Sequence, residues 1–190
     1  NSMINRAGML LALGRYQEAQ GILAEASEKA AKVGNKQLQV SITLQQAKAA
    51  LSQLNFSEAK TKSSGALDLA IASQFSGSII EGKQILGLAM TLSSKKRDGI
   101  NLCKEALELA EQLKDPWEIS KARLTLAGAL LESGDTENAL TNALAAQETF
   151  TRTLQQDWEW QALLIAARAL QQKGDTGKAG EYAKRSADLL

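Results

Sequence analysis

A spacing of 40 positions separates the small residues that close one recurring phrase of the sequence. These residues are Ala19, Ala59, Gly99, Ala139 and Ala179. A period in this range is typical of repeat arrays, in which each unit packs mainly against its neighbours. The chain is therefore expected to fold as a row of similar units instead of around one central core.

Two further columns of small residues keep the same 40-residue register. One column consists of Ala7, Ala47, Gly87, Ala127 and Ala167, and the other of Ala26, Ala66, Ala106, Ala146 and Ser186. Small side chains let the backbones of neighbouring helices approach closely. Three columns in register therefore indicate closely packed pairs of antiparallel helices.

The composition supports an all-α fold. Hydrophobic residues make up 44% of the chain, which is too many for a disordered segment. One proline and 4% aromatic residues disfavour a turn-rich β-sandwich or barrel. The commonest residues, such as Ala, Leu, Gln, Glu and Lys, are strong helix formers.

Capping signals divide the sequence into helices. Gly34 can end one helix and Asn35 can cap the next, and Asp115 followed by Pro116 is a stronger start signal. Ser78 and Asp157 mark two further starts. About ten helices are predicted, over residues 2–13, 16–33, 36–53, 56–73, 77–93, 96–113, 116–133, 136–154, 158–173 and 176–190.

These helices group into a single array of five units. The predicted units are 1–34, 35–75, 76–114, 115–155 and 156–190. Both ends of the sequence look cut, so we expect the array to be part of a larger protein. The single cysteine fits a reducing compartment, and a cytoplasmic location is expected.

The pattern resembles the tetratricopeptide repeat (TPR) family. That family has a small residue on the first helix, as in Leu86-Gly87, an aromatic residue after the turn, as in Tyr16 and Phe56, and small residues twelve and nineteen positions after the first. The present chain departs from it in its longer period, since the usual one is about 34 residues. Later units also have Lys96, Thr136 and Thr176 at the aromatic position. Long-period repeats of this kind are similar to those of bacterial signalling and transcription sensors and of adaptor proteins.

The resemblance implies a right-handed α-solenoid superhelix whose first helices line a concave groove. The family's inward-facing positions flank the small residue of each first helix. Matching them here predicts a partner-binding groove with a mixed, amide-rich and partly apolar lining: Gln45, Lys48, Gln84, Leu88, Thr91, Lys121, Leu124, Thr125, Gly128, Leu131, Gln161, Leu164, Arg168 and Gln171.

The residue types disfavour an enzyme and predict no cofactor or metal. The chain has no histidine, which is the commonest general base and metal ligand near neutral pH. The segment Gly77–Gln84 resembles a phosphate-binding loop, but Gln84 replaces the required hydroxyl and no strand pattern precedes it. Cys103 falls in a packing column and is read as a small hydrophobic residue.

Charge gives no sign of nucleic acid or a membrane as partner. The 22 Lys and Arg residues nearly balance the 21 Asp and Glu residues. The basic cluster Lys95-Lys96-Arg97 has no interleaved aromatic residues and is interpreted as a solvated turn. No apolar run approaches the roughly 20 residues that a membrane span requires.

The three tryptophans, Trp117, Trp158 and Trp160, allow two interpretations. Large rings can cover the seam between successive units, and this role is favoured. Alternatively, one of them lines a pocket at the edge of the groove.

The sequence therefore predicts an interaction module, part of a larger signalling or regulatory protein. It would bind an extended segment of a protein or peptide, or another domain of its own chain, in the concave groove. The alternative is a regulatory domain that senses a ligand or peptide and controls an attached effector. The sequence gives no indication of the oligomeric state.

Overall fold

The structure is a computed structural model that describes residues 2–190. It consists of ten α-helices joined by short turns, as the repeat pattern predicts. Their bounds are α1 Ser2–Ala12, α2 Tyr16–Val33, α3 Lys36–Ser52, α4 Phe56–Ala72, α5 Ser76–Leu92, α6 Lys96–Leu113, α7 Pro116–Ser133, α8 Thr136–Arg152, α9 Gln156–Gln172 and α10 Thr176–Ala187.

The helices form two layers. Each helix packs against the next one along the chain, and the odd-numbered helices also contact one another in the series α1, α3, α5, α7 and α9. Among residues 2–190, no even-numbered helix contacts another even-numbered helix. The odd-numbered layer is therefore the tighter one and lies on the inner side of the curve. The predicted α-solenoid of antiparallel helix pairs is confirmed.

The turns repeat at half the period of the sequence. From α2 onward, each helix begins 20 residues after the one before it. Two residues before each of these starts, the backbone has a positive φ, both at glycines and at Leu54, Gln74, Ser94, Lys114 and Leu154. One 40-residue unit therefore contains two turns of the same geometry.

This register corrects two predicted helix starts. Helix α5 begins at Ser76 with Phe75 at its N-cap, and α9 begins at Gln156 with Gln155 at its N-cap. Neither N-cap residue makes a side-chain capping bond, so the backbone geometry of the turn sets the start. The caps predicted at Asn35 and Asp115 are confirmed, because their side chains accept hydrogen bonds from backbone N–H groups in the first turn of the helix.

The small-residue columns lie in the contact between paired helices. Ala47, Ala127 and Ala139 are fully buried. The closest approach joins α5 to α6, where a Cβ atom on Gly87 would lie 2.7 Å from the carbonyl oxygen of Gly99. A Cβ on Gly99 would overlap Thr91 and lie only 2.6 Å from its backbone nitrogen. This helix pair therefore requires glycine at both positions.

The first prediction concerns this contact. The change Gly99→Ala should force α5 and α6 apart and lower the free energy of unfolding by on the order of 1–3 kcal/mol, because overpacking a close contact is penalised. Gly65→Ala is the matched control. Its Cβ would meet nothing within 4 Å, so it should leave stability unchanged or raise it by about 0.5–1 kcal/mol. Equal urea denaturation midpoints for the two variants would show that the contact is looser than described.

The second prediction concerns the turns. Leu154 has a φ of 57° and its side chain is 86% exposed, so a glycine there relieves backbone strain without removing buried contacts. Leu154→Gly should raise the free energy of unfolding by about 0.5–1 kcal/mol. The reverse change at the equivalent position of another turn, Gly134→Ala, should lower it by a similar amount. Thermal melting checks both, and shifts of the same sign would contradict the proposed strain.

Candidate binding groove

The odd-numbered helices place ten side chains around one pocket of the concave groove. This tryptophan pocket has a volume of about 240 Å³. Its residues come from α3, α5, α7 and α9, so it extends across several units. They are Lys48, Leu51, Glu81, Gln84, Ile85, Leu88, Trp117, Lys121, Thr125 and Trp158.

The structure sorts the predicted groove residues into four groups. The tryptophan pocket contains Lys48, Gln84, Leu88, Lys121 and Thr125. A separate depression of about 340 Å³ between α9 and α10 contains three others, Leu164, Arg168 and Gln171. The remaining half-buried candidates lie on the same layer of helices but outside both pockets: Gln45, Gly128 and Gln161.

Three predicted groove residues belong to the packed interior instead. Thr91, Leu124 and Leu131 are at most 6% exposed. Each lies three or four positions from the small residue of its helix, and on an α-helix this spacing puts both on the same face. The Thr91 hydroxyl donates to the carbonyl oxygen of Gly87 at 2.9 Å. These three residues therefore pack helices together and are not available to a partner.

Two tryptophans and a phenylalanine form an aromatic cluster at the junction of α7, α8 and α9. The ring centroids of Trp117 and Trp158 are 5.5 Å apart in an edge-to-face arrangement, and that of Phe150 lies 5.8 Å from Trp117. Phe150 is fully buried, whereas both tryptophans also line the pocket. Trp117 and Trp158 thus both cover the seam between successive units and line a pocket of the groove. Trp160 lies outside the pocket, and its carbonyl oxygen accepts from the Ser186 hydroxyl.

A buried carboxylate fixes the start of α9 beside the pocket. Glu159 accepts hydrogen bonds from Thr151 Oγ1 at 2.5 Å and from Gln147 Nε2 at 3.1 Å. Because both donors lie on α8, this network holds the first turn of α9, and with it Trp158, against the preceding helix. Nothing in the repeat pattern of the sequence identifies it.

The charges around the pocket are already paired. Lys48 forms an ion pair with Glu81 at 2.5 Å, and Lys121 forms one with Glu118 at 2.7 Å. The Lys121 ammonium also lies 5.6 Å from the centre of the Trp117 ring. Sequence reasoning missed Glu81, although it occupies the same repeat position as Lys121 and Gln161. The 40-residue register itself could have identified it.

Gln84 is the exception among these polar groups. Its side chain is 9% exposed, and its amide nitrogen Nε2 has no hydrogen-bond partner among residues 2–190. The segment Gly77–Gln84 is helical within α5, and Lys83 pairs with Glu105 of α6. The segment is therefore part of a helix, as interpreted from the sequence, and Gln84 lines the tryptophan pocket.

No cluster of metal-ligating side chains occurs among residues 2–190. Over the same range, none of the helices combines the length and apolar character that crossing a bilayer requires.

Several solved structures share this fold over nearly the whole chain. A Rap protein complexed with competence and sporulation factor matches with a TM-score of 0.88 and 19% identity, over 98% of this chain and 53% of the Rap chain. TPR-like repeats of a kinesin light chain from Podospora anserina match with a TM-score of 0.66 and 16% identity, over 99% and 93% of the two chains. The chain has a TPR-like solenoid fold.

A third match, the apo form of RapI, has a TM-score of 0.67 and 10% identity, over 98% of this chain and 52% of RapI. The TPR-like array thus spans about half the length of these Rap proteins. No family model matches the sequence. No curated protein matches it either. The comparisons therefore establish the fold, and the resemblance to TPR proteins is confirmed at that level.

The third prediction concerns Cys103, which lies in the TPR-like core. Burial raises the pKa of its thiol to about 12. Since the thiolate is the reactive form, the folded protein should react very slowly with a disulfide reagent near pH 8 and rapidly in denaturing urea. The unfolded thiol ionises near pH 8.5, so stability should also fall as the pH rises from there towards 12. Fast labelling of the folded protein would contradict this burial.

Proposed function

We propose that this TPR-like array is an interaction module that holds an extended segment of a protein or peptide partner along its concave groove. The segment can belong to a separate partner or to another domain of the same protein. The observation that carries the proposal is the tryptophan pocket, because it combines side chains from four helices of the inner layer in one place. A segment lying along the groove would cross all four of these helices.

The shape and the lining of the groove support this proposal. Solenoids present an extended concave surface, and extended segments bind through backbone hydrogen bonds together with pockets for individual side chains. The groove offers amides, a hydroxyl and aromatic rings for such contacts. The Rap protein with the same fold is complexed with competence and sporulation factor, which supports a binding role for an array of this shape.

A small-molecule sensor is the competing function. Pockets for drug-sized ligands typically enclose about 300–1,000 Å³, and the tryptophan pocket is smaller, at about 240 Å³. Its size favours one side chain of a longer partner over a complete metabolite.

The fourth prediction tests this function with a displayed library of random linear peptides selected on the immobilised chain. Selected peptides should bind the Lys121→Glu variant at least about tenfold more weakly, equivalent to roughly 1.4 kcal/mol. The reason is that the change reverses the charge of a side chain that lines the tryptophan pocket. Lys104→Glu is the matched control, since Lys104 is exposed on α6 in the outer layer. Isothermal titration calorimetry measures both affinities.

Two outcomes would contradict the proposal. Failure to select any binding peptide would argue against a peptide-binding module, and tight binding of a metabolite without peptide binding would favour the sensor. Equal weakening by Lys104→Glu and Lys121→Glu would place the binding surface outside the concave groove.

A further inference from the structure

The buried amide of Gln84, in the lining of the tryptophan pocket, is a hydrogen-bond donor without a partner among the described residues. A buried N–H donor without an acceptor is unfavourable, and such groups in folded proteins are generally satisfied by a partner. Nε2 of Gln84 lacks one within residues 2–190, while the side chain lines the pocket. An oxygen acceptor supplied by a bound molecule would satisfy this donor.

The paired charges of the pocket indicate that its occupant is neutral. The two lysines at its edge each have a glutamate partner, Glu81 for Lys48 and Glu118 for Lys121. A charged group entering the pocket would compete with one of these existing ion pairs. A neutral acceptor such as a peptide carbonyl encounters no such competition.

The walls of the pocket indicate an apolar group beside that carbonyl. Trp117 and Trp158 offer large aromatic surfaces, and Leu51, Ile85 and Leu88 add aliphatic ones. Phe150 packs behind both tryptophan rings, with centroids 5.8 Å and 6.1 Å away, and holds them in place. Aromatic rings bury apolar side chains well and pack edge to face with other rings.

We propose that the tryptophan pocket is an anchor site for one neutral, large apolar side chain of an extended peptide segment, whose neighbouring backbone carbonyl accepts a hydrogen bond from Gln84 Nε2. This inference rests on the proposed function and specifies the residue class that the groove selects. An extended segment suits the site because it presents a carbonyl at every residue and directs alternate side chains to the same face.

The test uses the full chain and a peptide selected from the random library. Gln84→Met keeps the length of the side chain but removes the donor. Because it also removes an unsatisfied buried group, it should leave the melting temperature of the free protein unchanged or raise it, while weakening peptide binding about tenfold. A residue with only a structural role would not separate these two effects. Gln17→Met, at an exposed position on α2 in the outer layer, is the matched control and should change affinity by less than about twofold.

A second measurement leaves the pocket intact. In a Trp160→Phe variant, the remaining tryptophans are Trp117 and Trp158. Binding of the selected peptide should shift their fluorescence emission to shorter wavelength as the anchor displaces water. Replacing the apolar anchor of the peptide by alanine should abolish the shift, and added salt should have little effect because no ion pair forms.

The outcomes separate this inference from the proposed function. Peptides that bind Gln84→Met with unchanged affinity and leave the emission unchanged would overturn the anchor site, while peptide binding itself would stand. Selection of peptides with a charged residue in place of the apolar anchor would also overturn it. If no peptide binds, both proposals fail.

Discussion

Backbone contact between paired helices is the constraint on which this TPR-like array depends. It is closest between α5 and α6, where neither Gly87 nor Gly99 has room for a Cβ atom. Fully buried alanines occupy the corresponding places in other pairs, as at Ala127 and Ala139. These small residues bring the two layers together, and contacts among the odd-numbered helices then give the array its inner side.

The same packing determines which side chains remain available for binding. Some positions three or four residues from the small residue face the neighbouring helices, as Thr91 and Leu131 do, whereas Gln84, three residues before Gly87, lines the tryptophan pocket. Positions one residue after the small residue, such as Lys48 and Leu88, reach the groove surface and line the tryptophan pocket. The aromatic cluster adds a rigid wall at one end, because buried Phe150 supports both pocket tryptophans. Scaffold and candidate site are therefore parts of one arrangement.

Much of the fold follows from the sequence because its determinants are local or periodic. The small-residue columns predict the helix pairs. Asn35 and Asp115 are residue types that favour helix N-caps, so these two helix starts can also be predicted from the sequence. The starts of α5 and α9 were predicted wrongly because the positive φ at Gln74 and Leu154 has no glycine to mark it, and neither Phe75 nor Gln155 makes a side-chain capping bond. In the site, the register predicts Lys48 and Lys121, but pairing of Trp117 with Trp158 and the network of Glu159 depend on contacts between helices that no local pattern reveals.

A crystal structure of the chain with a peptide selected on it tests the central claim most directly. The account predicts an extended peptide along the concave groove, with an apolar side chain packed against Trp117 and Trp158 in the tryptophan pocket and a carbonyl oxygen within hydrogen-bonding distance of Gln84 Nε2. A peptide bound to the outer layer of even-numbered helices, with the tryptophan pocket vacant, would contradict it.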